Sequence, residues 1–411
     1  MTTAPPFKFG SVAFSAYLPA LLFCIGEGAV IPLVPIIAQQ QGASIGVAAL
    51  IASMLMVGQL IGDLPAGVLV RRIGERWAMI GAAAVAIVGL LISCFTSEPI
   101  VLALGMVIVG SATSVFALAR HAYLTVAVPL RYRARALSTL GGIFRAGYFI
   151  GPFISAWLLT MVDENRVVFL VHVICCLLAI SVLLATRLPA APNDVTRGSI
   201  ARSVVIDFDE PGEPIGLVAT VVRYRGVLAR VGIAASLIGG LRASRTVILP
   251  TAALLVGIPD SRVAIIIGIA NGVDFALFFA SGWIMDKFGR LWAAVPSMVG
   301  LGIGHIALGF VADESSFFVV ALFLALANGL GSGILNTLGS DVAPQRNPAT
   351  FLGAWRLTGD AGQAAAPLLV SGITALAGLA AASTTMGLLG FVGAALLVKY
   401  VRRYVPPPVR H

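Results

Sequence analysis

The sequence predicts an all-α integral membrane protein whose twelve transmembrane helices form two pseudo-symmetric six-helix bundles. Of its 411 residues, 59% are apolar and only 11% are charged, and the mean hydropathy is +0.99. Such a composition is typical of a chain whose main solvent is lipid. About a dozen apolar stretches approach the ~20 residues that a helix needs to cross a ~30 Å hydrocarbon layer. Short polar joints separate these stretches, and the two halves of the chain repeat each other.

The predicted spans follow the apolar stretches in chain order: 11–38, 44–70, 77–96, 99–128, 136–160, 166–186, 227–256, 262–285, 291–312, 316–340, 349–376 and 379–401. The longest polar stretch, 187–225, contains four prolines and an acidic run. It is predicted to be a linker between a first bundle, 1–186, and a second, 226–411.

The basic residues predict the orientation. With the N-terminus inside, the inner segments hold twenty Lys and Arg residues, whereas the outer joints hold only Arg166 and Arg262. Positive charge accumulates on the cytoplasmic side of membrane proteins, so both termini are expected there. The net charge of +9 is therefore explained by topology and not by nucleic-acid binding. Because 24 Arg accompany only 3 Lys, a bacterial inner membrane is the expected location.

An internal repeat appears at a constant offset of 215 residues. Gly67 to Gly74 falls on Gly282 to Gly289, and Pro129, Gly147 and Pro152 fall on Pro344, Gly362 and Pro367. Coincidence at one shift without insertion favours duplication of a six-helix unit.

The segment Gly282-Trp-Ile-Met-Asp-Lys-Phe-Gly-Arg290 resembles the G-x-L-A-D-R-x-G-R-R signature of the major facilitator superfamily. The resemblance implies a secondary transporter in which the two bundles alternate access to a central cavity. Gly282 and Gly289 are expected to allow close approach of helices and a tight turn. Asp286, Lys287 and Arg290 are expected to hold the two halves together at the inner face.

Two further motifs bear on this resemblance. In the first-half copy, Arg71 replaces the usual aspartate, and Asp63 is the acid that could replace it. Gly147, Gly151 and Pro152 resemble the G-x-x-x-G-P core that marks the drug/proton antiporter branch, which implies export. The Gly-Gly pair expected a few residues later is absent, and a seam of small residues packing two helices is the alternative.

Ionisable residues within the spans are the candidate functional residues, since each costs at least ~2.5 kcal/mol at mid-membrane unless it is paired or faces water. Glu27, deep in the first span, is the candidate proton carrier, with a permanent Glu-Arg structural pair as the alternative. Spans one, four, seven and ten line the cavity in this superfamily. The resemblance therefore implies the lining candidates Glu27, Arg120, His121, Arg242, Arg245, Asn328 and Asn336. The surplus of arginine suits an anionic or zwitterionic substrate.

Matched depth predicts bridges between the halves. Arg145 and Asp274 both lie ~15–18 Å from the inner ends of their helices. Asp63 and Arg356 also lie at matched depth, with Asp360 one turn deeper. We expect these pairs to form in one access state and to break in the other.

The function expected from the sequence is proton-coupled efflux of a small amphipathic or anionic organic compound. An organic-anion facilitator or importer and a lipid translocase are the alternatives, and a transporter-like sensor or assembly partner is a third. We expect no enzyme activity, metal site or cofactor, because no nucleophile set, metal-spaced cluster or nucleotide-binding loop is visible. A proton gradient is the expected driving force. The expected partners are the substrate and membrane lipids, with the protein acting as a monomer.

Overall fold

The computed structural model describes residues 13–128, 130–162, 164–186, 217–344 and 348–404. Within them the structure is helical, with twelve long helices. The first six, α1 to α6, have these bounds: α1 Leu18–Val30 continuing as Val34–Gln40, α2 Ile45–Ile73, α3 Glu75–Phe95, α4 Pro99–Ala127, α5 Leu130–Leu159 and α6 Val168–Ala185. A short helix, Leu217–Arg223, precedes the second half. Helices α7 to α12 then follow: α7 Ile233–Val256, α8 Asp260–Phe288, α9 Arg290–Leu308, α10 Glu314–Leu330 continuing as Ile334–Val342, α11 Pro348–Ala377 and α12 Leu379–Tyr404.

Two helices are interrupted for identifiable reasons. In α1, a 3₁₀ turn at Ile31–Leu33 separates the two segments, where Pro32 and Pro35 cannot donate backbone hydrogen bonds. In α10, the break falls on Gly331, Ser332 and Gly333, and Gly333 has a φ of +81°. Interrupted helices at mid-membrane are tolerated where the exposed backbone lines a cavity or is buried in protein.

The predicted repeat is visible in the helix ends. Gly74 ends α2 with a φ of +81°, and Gly289, which is 215 residues later, ends α8 with a φ of +98°. Gly42 after α1 and Gly257 after α7 form a second such pair, with φ values of 90° and 75°. These left-handed conformations favour glycine, so the same turn chemistry recurs at the same place in each half.

The packing of the helices repeats as well. In the first half α1 packs on α5 and α6, α4 on α2 and α3, and α3 on α6. In the second half α7 packs on α11 and α12, α10 on α8 and α9, and α9 on α12. The halves meet through α5 with α8 and through α2 with α11, which are equivalent pairs under the repeat. The predicted all-helical fold of two pseudo-symmetric bundles is therefore confirmed.

Eleven helices among the described residues are long and apolar enough to cross a membrane. The remaining long helix, α11, has 30 residues but carries Arg356, Asp360 and Gln363 and is not among the eleven. The predicted count of twelve spans and the placement of the termini in the cytoplasm stay predictions. Most of the predicted linker, residues 187–216, lies outside the described residues, so its boundaries are also untested.

The halves are packed together at the face of the molecule opposite Ala13 and Tyr404, the first and last described residues. We call this the distal face. There Ser371 of α11 donates a 2.9 Å hydrogen bond to the carbonyl of Gly46 in α2. Asp260, at the start of α8, accepts hydrogen bonds from Gln40 and Asn165 of the first half. At the other face, which we call the terminal face, the side chains of Asp63 and Arg356 are exposed. The structure is thus closed at its distal face.

Candidate functional site

A cavity of about 370 Å³ lies between the two halves at mid-depth. Its walls come from α1 and α5 of the first half and from α7, α8, α10 and α11 of the second. The volume lies in the range of small-molecule sites, about 300–1,000 Å³. Its polar lining residues are Arg145, Tyr148, Arg242, Arg245, Thr246, Asn271, Asp274, Asn328 and Gln363.

Among these lining residues, three arginines face a single carboxylate. Asp274 lies 3.5 Å from the Arg245 guanidinium and accepts a 2.7 Å hydrogen bond from Asn328. All three residues belong to the second half, and the two members of the ion pair are 10% and 13% exposed. The pair leaves Arg145 and Arg242 without a carboxylate at bonding distance among the described residues.

The break in α10 anchors an arginine from each half. Arg242 of α7 donates to the carbonyl of Gly331, and Arg145 of α5 donates to the hydroxyl of Ser332 at 3.3 Å. The Arg145 guanidinium also lies 4.2 Å from the centre of the Phe278 ring, a favourable cation–π arrangement. The break therefore holds two positive charges beside the cavity, one through a backbone carbonyl and one through a side-chain hydroxyl.

Donors and acceptors in the lining remain unsatisfied. Arg145 Nε, Arg242 Nε and Arg245 Nη1 are buried without a hydrogen-bond partner among the described residues. The same is true of Asp274 Oδ1 and Asn328 Oδ1. Buried polar atoms without partners cost about 1–3 kcal/mol each, so a ligand or ordered water that satisfies them binds favourably.

A proline in α5 creates a hydrogen bond between the halves. Pro152 has no N–H, so the carbonyl of Tyr148, four residues earlier, loses its helical partner. Asn271 of α8 donates a 3.0 Å hydrogen bond to this carbonyl. The proline thus opens one bond within a helix and allows one between the bundles.

Glu27 lies in a separate, buried cluster inside the first half. It is 3% exposed, and its carboxyl group interacts with the side chains of Tyr148 and Thr113 and with the Arg120 guanidinium. Arg120 lies 3.6 Å from the centre of the Phe144 ring and contacts Cys24 at 3.9 Å. Tyr148 belongs to both sites, since it also lines the central cavity.

A second, much smaller chamber of about 20 Å³ adjoins Glu27. Glu27, His172 and Thr246 are its polar lining residues, and the rest of its wall is apolar. Ile31 and Thr246 line both the chamber and the central cavity. The chamber and the cavity therefore share a wall.

Comparison with known proteins assigns the family. Residues 17–367 and 231–411 match the model of the Major Facilitator Superfamily. The chain belongs to the Major Facilitator Superfamily. Secondary active transport is the activity of this family.

This superfamily member is similar to two proteins described as uncharacterized MFS-type transporters. Two MFS-type transporters of Mycobacterium tuberculosis, from strains H37Rv and CDC 1551, are each 25% identical to it over 138 residues. That match covers 34% of this chain and only 20% of each relative.

Solved structures share the superfamily fold. The human organic anion transporter MFSD10 has a TM-score of 0.66 at 15% identity, with 95% of this chain and 100% of that chain covered. An inward-open structure of the xylose transporter XylE from E. coli has a TM-score of 0.69 at 18% identity, with 97% of each chain covered. A POT family transporter bound to a thioalcohol-conjugated peptide has a TM-score of 0.75 at 13% identity, again with 97% of each chain covered. Identities this low show the fold alone.

The structure divides the predicted lining residues of this superfamily member into three groups. Arg242, Arg245 and Asn328 line the central cavity. Glu27 and Arg120 form the buried cluster beside it. His121 and Asn336 are exposed and line neither space; His121 Nδ1 bonds the carbonyl of Ala117 at 3.0 Å.

The predicted bridges between halves are not formed in this structure. Arg145 lines the same cavity as Asp274, but Asp274 is paired with Arg245 of its own half. Arg356 is paired with Asp360 one helical turn away, at 3.4 Å. Asp63 accepts a 2.5 Å hydrogen bond from Ser114 of α4, also in its own half. Depth gives the position of a residue along its helix but not the direction of its side chain, and these side chains contact nearer partners. Formation of the bridges in another access state stays a prediction.

The signature segment after α8 joins helices of one half. Arg290 binds Asp341 at the end of α10 at 2.8 Å and Asp286 at 3.2 Å. Lys287 lies 4.8 Å from the Trp283 ring centre, and Asp286 is 82% exposed. Among the residues that the structure describes, these contacts lie within the second half, and the expected link between the halves stays a prediction. Gly289 supplies the expected turn, whereas the position of Gly282 faces open space and mediates no close approach.

The antiporter-like motif is a packing seam in this structure. A Cβ at Gly147 would lie 2.5 Å from that of Cys24, and one at Gly151 would overlap the backbone of Ile25 and Ala29. Close contact of α5 with α1 therefore requires both glycines. Pro152 adds the exposed carbonyl described above. This packing is independent of the direction of transport.

Sequence reasoning missed several polar residues of the site. Asn271, Gln363 and Tyr148 line the cavity, and His172 adjoins Glu27. Pro152 was the available signal for Asn271, because a proline inside a helix exposes a carbonyl that needs another donor. His172 lies within the sixth predicted span, and an ionisable residue in a span is the signal that could have marked it.

Proposed function

We propose that this protein exports a small organic anion in exchange for protons. The observation that carries the proposal is the charge of the central cavity, where three arginines accompany one aspartate. A carboxylate 4 Å from a guanidinium gains roughly 4 kcal/mol at an effective dielectric constant of ~20. Two guanidinium groups without a carboxylate at bonding distance thus favour an anionic occupant over a neutral or cationic one.

The distribution of the three arginines between the halves favours a ligand that bridges them. Arg145 belongs to the first half, whereas Arg242 and Arg245 belong to the second. An anion bound to both sides would draw the bundles together around the cavity, which is how a ligand selects a closed state. The unsatisfied oxygens of Asp274 and Asn328 favour a substrate that also carries hydroxyl or amine donors.

Proton coupling is proposed at Glu27. Its carboxyl group is buried beside the cavity and interacts with Tyr148, which lines the cavity. A carboxyl group in such a position can be protonated when one face is open and ionised when the other is open. Export is the direction that the Gly147-x-x-x-Gly-Pro152 resemblance favours.

Binding by purified protein tests the substrate class. Thermal stabilisation is measured with aromatic and aliphatic carboxylates, with the matched uncharged amides and with quaternary amines. We expect the carboxylates alone to stabilise the protein, and Arg242→Gln to weaken binding at least tenfold. Arg402→Gln, on the exposed end of α12, is the matched control and should bind like wild type. Equal stabilisation by amides or cations, or by phospholipid alone, would reject the anion proposal.

Transport into proteoliposomes tests the coupling. With an imposed pH gradient, we expect the bound carboxylate to accumulate against its own gradient, and Glu27→Gln to retain exchange of labelled for unlabelled substrate without accumulation. If the protein is a facilitator, wild type and Glu27→Gln will both exchange substrate, and neither will accumulate it.

A further inference from the structure

We propose that Glu27 and His172 bind one water molecule in the small chamber beside α1, and that this water positions the proton that Glu27 carries. The inference rests on the proposed proton coupling and names a residue that serves it. His172 is therefore a positioning residue and acts through the water.

The size of the chamber fits a single water molecule. Its volume is about 20 Å³, and one water needs at least ~10–15 Å³. No organic substrate fits such a space. Buried water also needs polar partners, and Glu27, His172 and Thr246 provide them in an otherwise apolar wall.

Unsatisfied atoms on two of these residues indicate the partners. Glu27 Oε1 has no hydrogen-bond partner among the described residues, and neither ring nitrogen of His172 has one. His172 is completely buried, and its ring packs against Gly26 and edge-on to Phe23. A neutral imidazole carries one donor and one acceptor, so a water can bond to it and to the carboxyl group at once.

A second buried histidine shows that such isolation is not general among the described residues. His305 in α9 is also completely buried, but one ring nitrogen contacts Ser244 at 2.9 Å and the other contacts the carbonyl of Leu301 at 2.7 Å. The protein satisfies His305 with its own atoms, whereas the ring nitrogens of His172 have no such partner in the described part of the chain.

The groups facing Glu27 come from several helices. Arg120 and Thr113 face it from α4, Tyr148 from α5, and Cys24 lies one turn away on α1. From α6, Cys176 lies within electrostatic range and His172 shares the chamber. Arg120 is the cation of this set, so the state of Glu27 depends on Arg120 and on the water together.

The second half controls access to the chamber. Thr246 belongs to α7, whereas the other lining residues belong to the first half. Motion of one bundle against the other would remove Thr246 from the wall and connect the chamber to the cavity. Proton exchange at Glu27 would then occur in one access state and stop in the other.

Infrared difference spectroscopy tests the water directly. The Glu27 carboxyl band is identified by its loss in Glu27→Gln, and its midpoint is measured against pH. His172→Phe keeps an aromatic ring but has no nitrogen that can bond to water. We therefore expect the titration midpoint of the Glu27 carboxyl group to move by at least one pH unit, a tenfold change in its protonation equilibrium. His172→Gln retains a polar partner and should stay closer to wild type. A water band that shifts in heavy-oxygen water should be present in wild type and absent in His172→Phe.

Substrate exchange without a pH gradient serves as the check of folding, because it needs no net proton movement. An unchanged midpoint in a His172→Phe protein that exchanges substrate would overturn the inference, as would an absent water band in wild type. If the spectroscopic changes occur but wild type shows no proton-driven accumulation, the proposed coupling fails and the water site stands.

Discussion

At the scale of single residues, the balance between Asp274 and three arginines determines what the cavity can hold. Asp274 compensates Arg245 at 3.5 Å and is itself held by Asn328. Removing one partner of a buried pair leaves an uncompensated charge, which is costly unless a ligand supplies the missing charge. On the proposed function, the substrate supplies the negative charge that the cavity lacks, and the amount needed depends on Asp274.

Asp274→Asn should change substrate preference. The amide can still contact Asn328, while the cavity gains one net positive charge. At ~8 Å and an effective dielectric constant of ~20, one added charge is worth about 2 kcal/mol, so dicarboxylates should gain roughly tenfold or more over monocarboxylates. The ratio of binding constants for matched mono- and dicarboxylates measures this, with the exposed Glu98→Gln as control.

Two other outcomes of Asp274→Asn are informative. An unchanged ratio would show that Asp274 does not face the bound substrate. Loss of transport for every substrate, restored in part by exchanging the charges of Arg145 and Asp274, would instead support the bridge between halves that matched depth predicts.

At the scale of helices, the closed distal face depends on a small residue. Gly46 lies at the start of α2, and a Cβ there would lie 2.7 Å from the Cβ of Ala375 in α11. Ser371 donates to the carbonyl of the same glycine. Close packing of small residues is the usual way for helices to approach in a membrane.

Gly46→Val should therefore prevent closure of the distal face and shift the protein toward states open there. Distances between spin labels at the exposed Glu98 and Ser315 measure the shift, and the population of long distances should increase. Gly372→Val is the matched control, because a Cβ at Gly372 meets nothing within 4 Å. An unchanged distance distribution in Gly46→Val would show that the contact does not hold this face closed.

The helices were largely predictable, whereas the ion pairs were not. Apolar runs give the spans, and the glycines at 42, 74, 257 and 289 recur because each turn needs a left-handed residue. The start of α5 at Leu130, six residues before the predicted span, reflects a basic helical turn outside the apolar stretch. Pairing requires the direction of each side chain as well as its depth. Thus Arg242, Arg245 and Asn328 line the cavity, while their role in substrate binding stays a prediction of the superfamily resemblance. The partners of Asp274 and Asp63 required the fold.

At the scale of the whole molecule, the two halves share the same helix packing but differ in their buried charged residues. The pair of α5 with α8 is equivalent to the pair of α11 with α2, and these pairs join the bundles. The buried charges do not follow this symmetry. The proposed proton site at Glu27 lies in the first half, and most of the polar lining of the cavity lies in the second. Relative motion of the bundles therefore changes the surroundings of both sites together.

Exchange of an outgoing monoanion for an incoming proton should be driven by membrane potential. Each cycle moves two positive charges inward. Each charge contributes ~2.3 kcal/mol per 100 mV, so a potential of ~100 mV supplies about 4.6 kcal/mol per cycle.

Potassium gradients with valinomycin set the potential in proteoliposomes, and substrate accumulation is measured at constant pH. In Glu27→Gln only the anion moves, so we expect accumulation to follow one charge instead of two, while Glu98→Gln behaves like wild type. Accumulation that responds to the pH gradient but not to the potential would show that proton and anion move in the same direction, and would replace export by exchange with electroneutral symport.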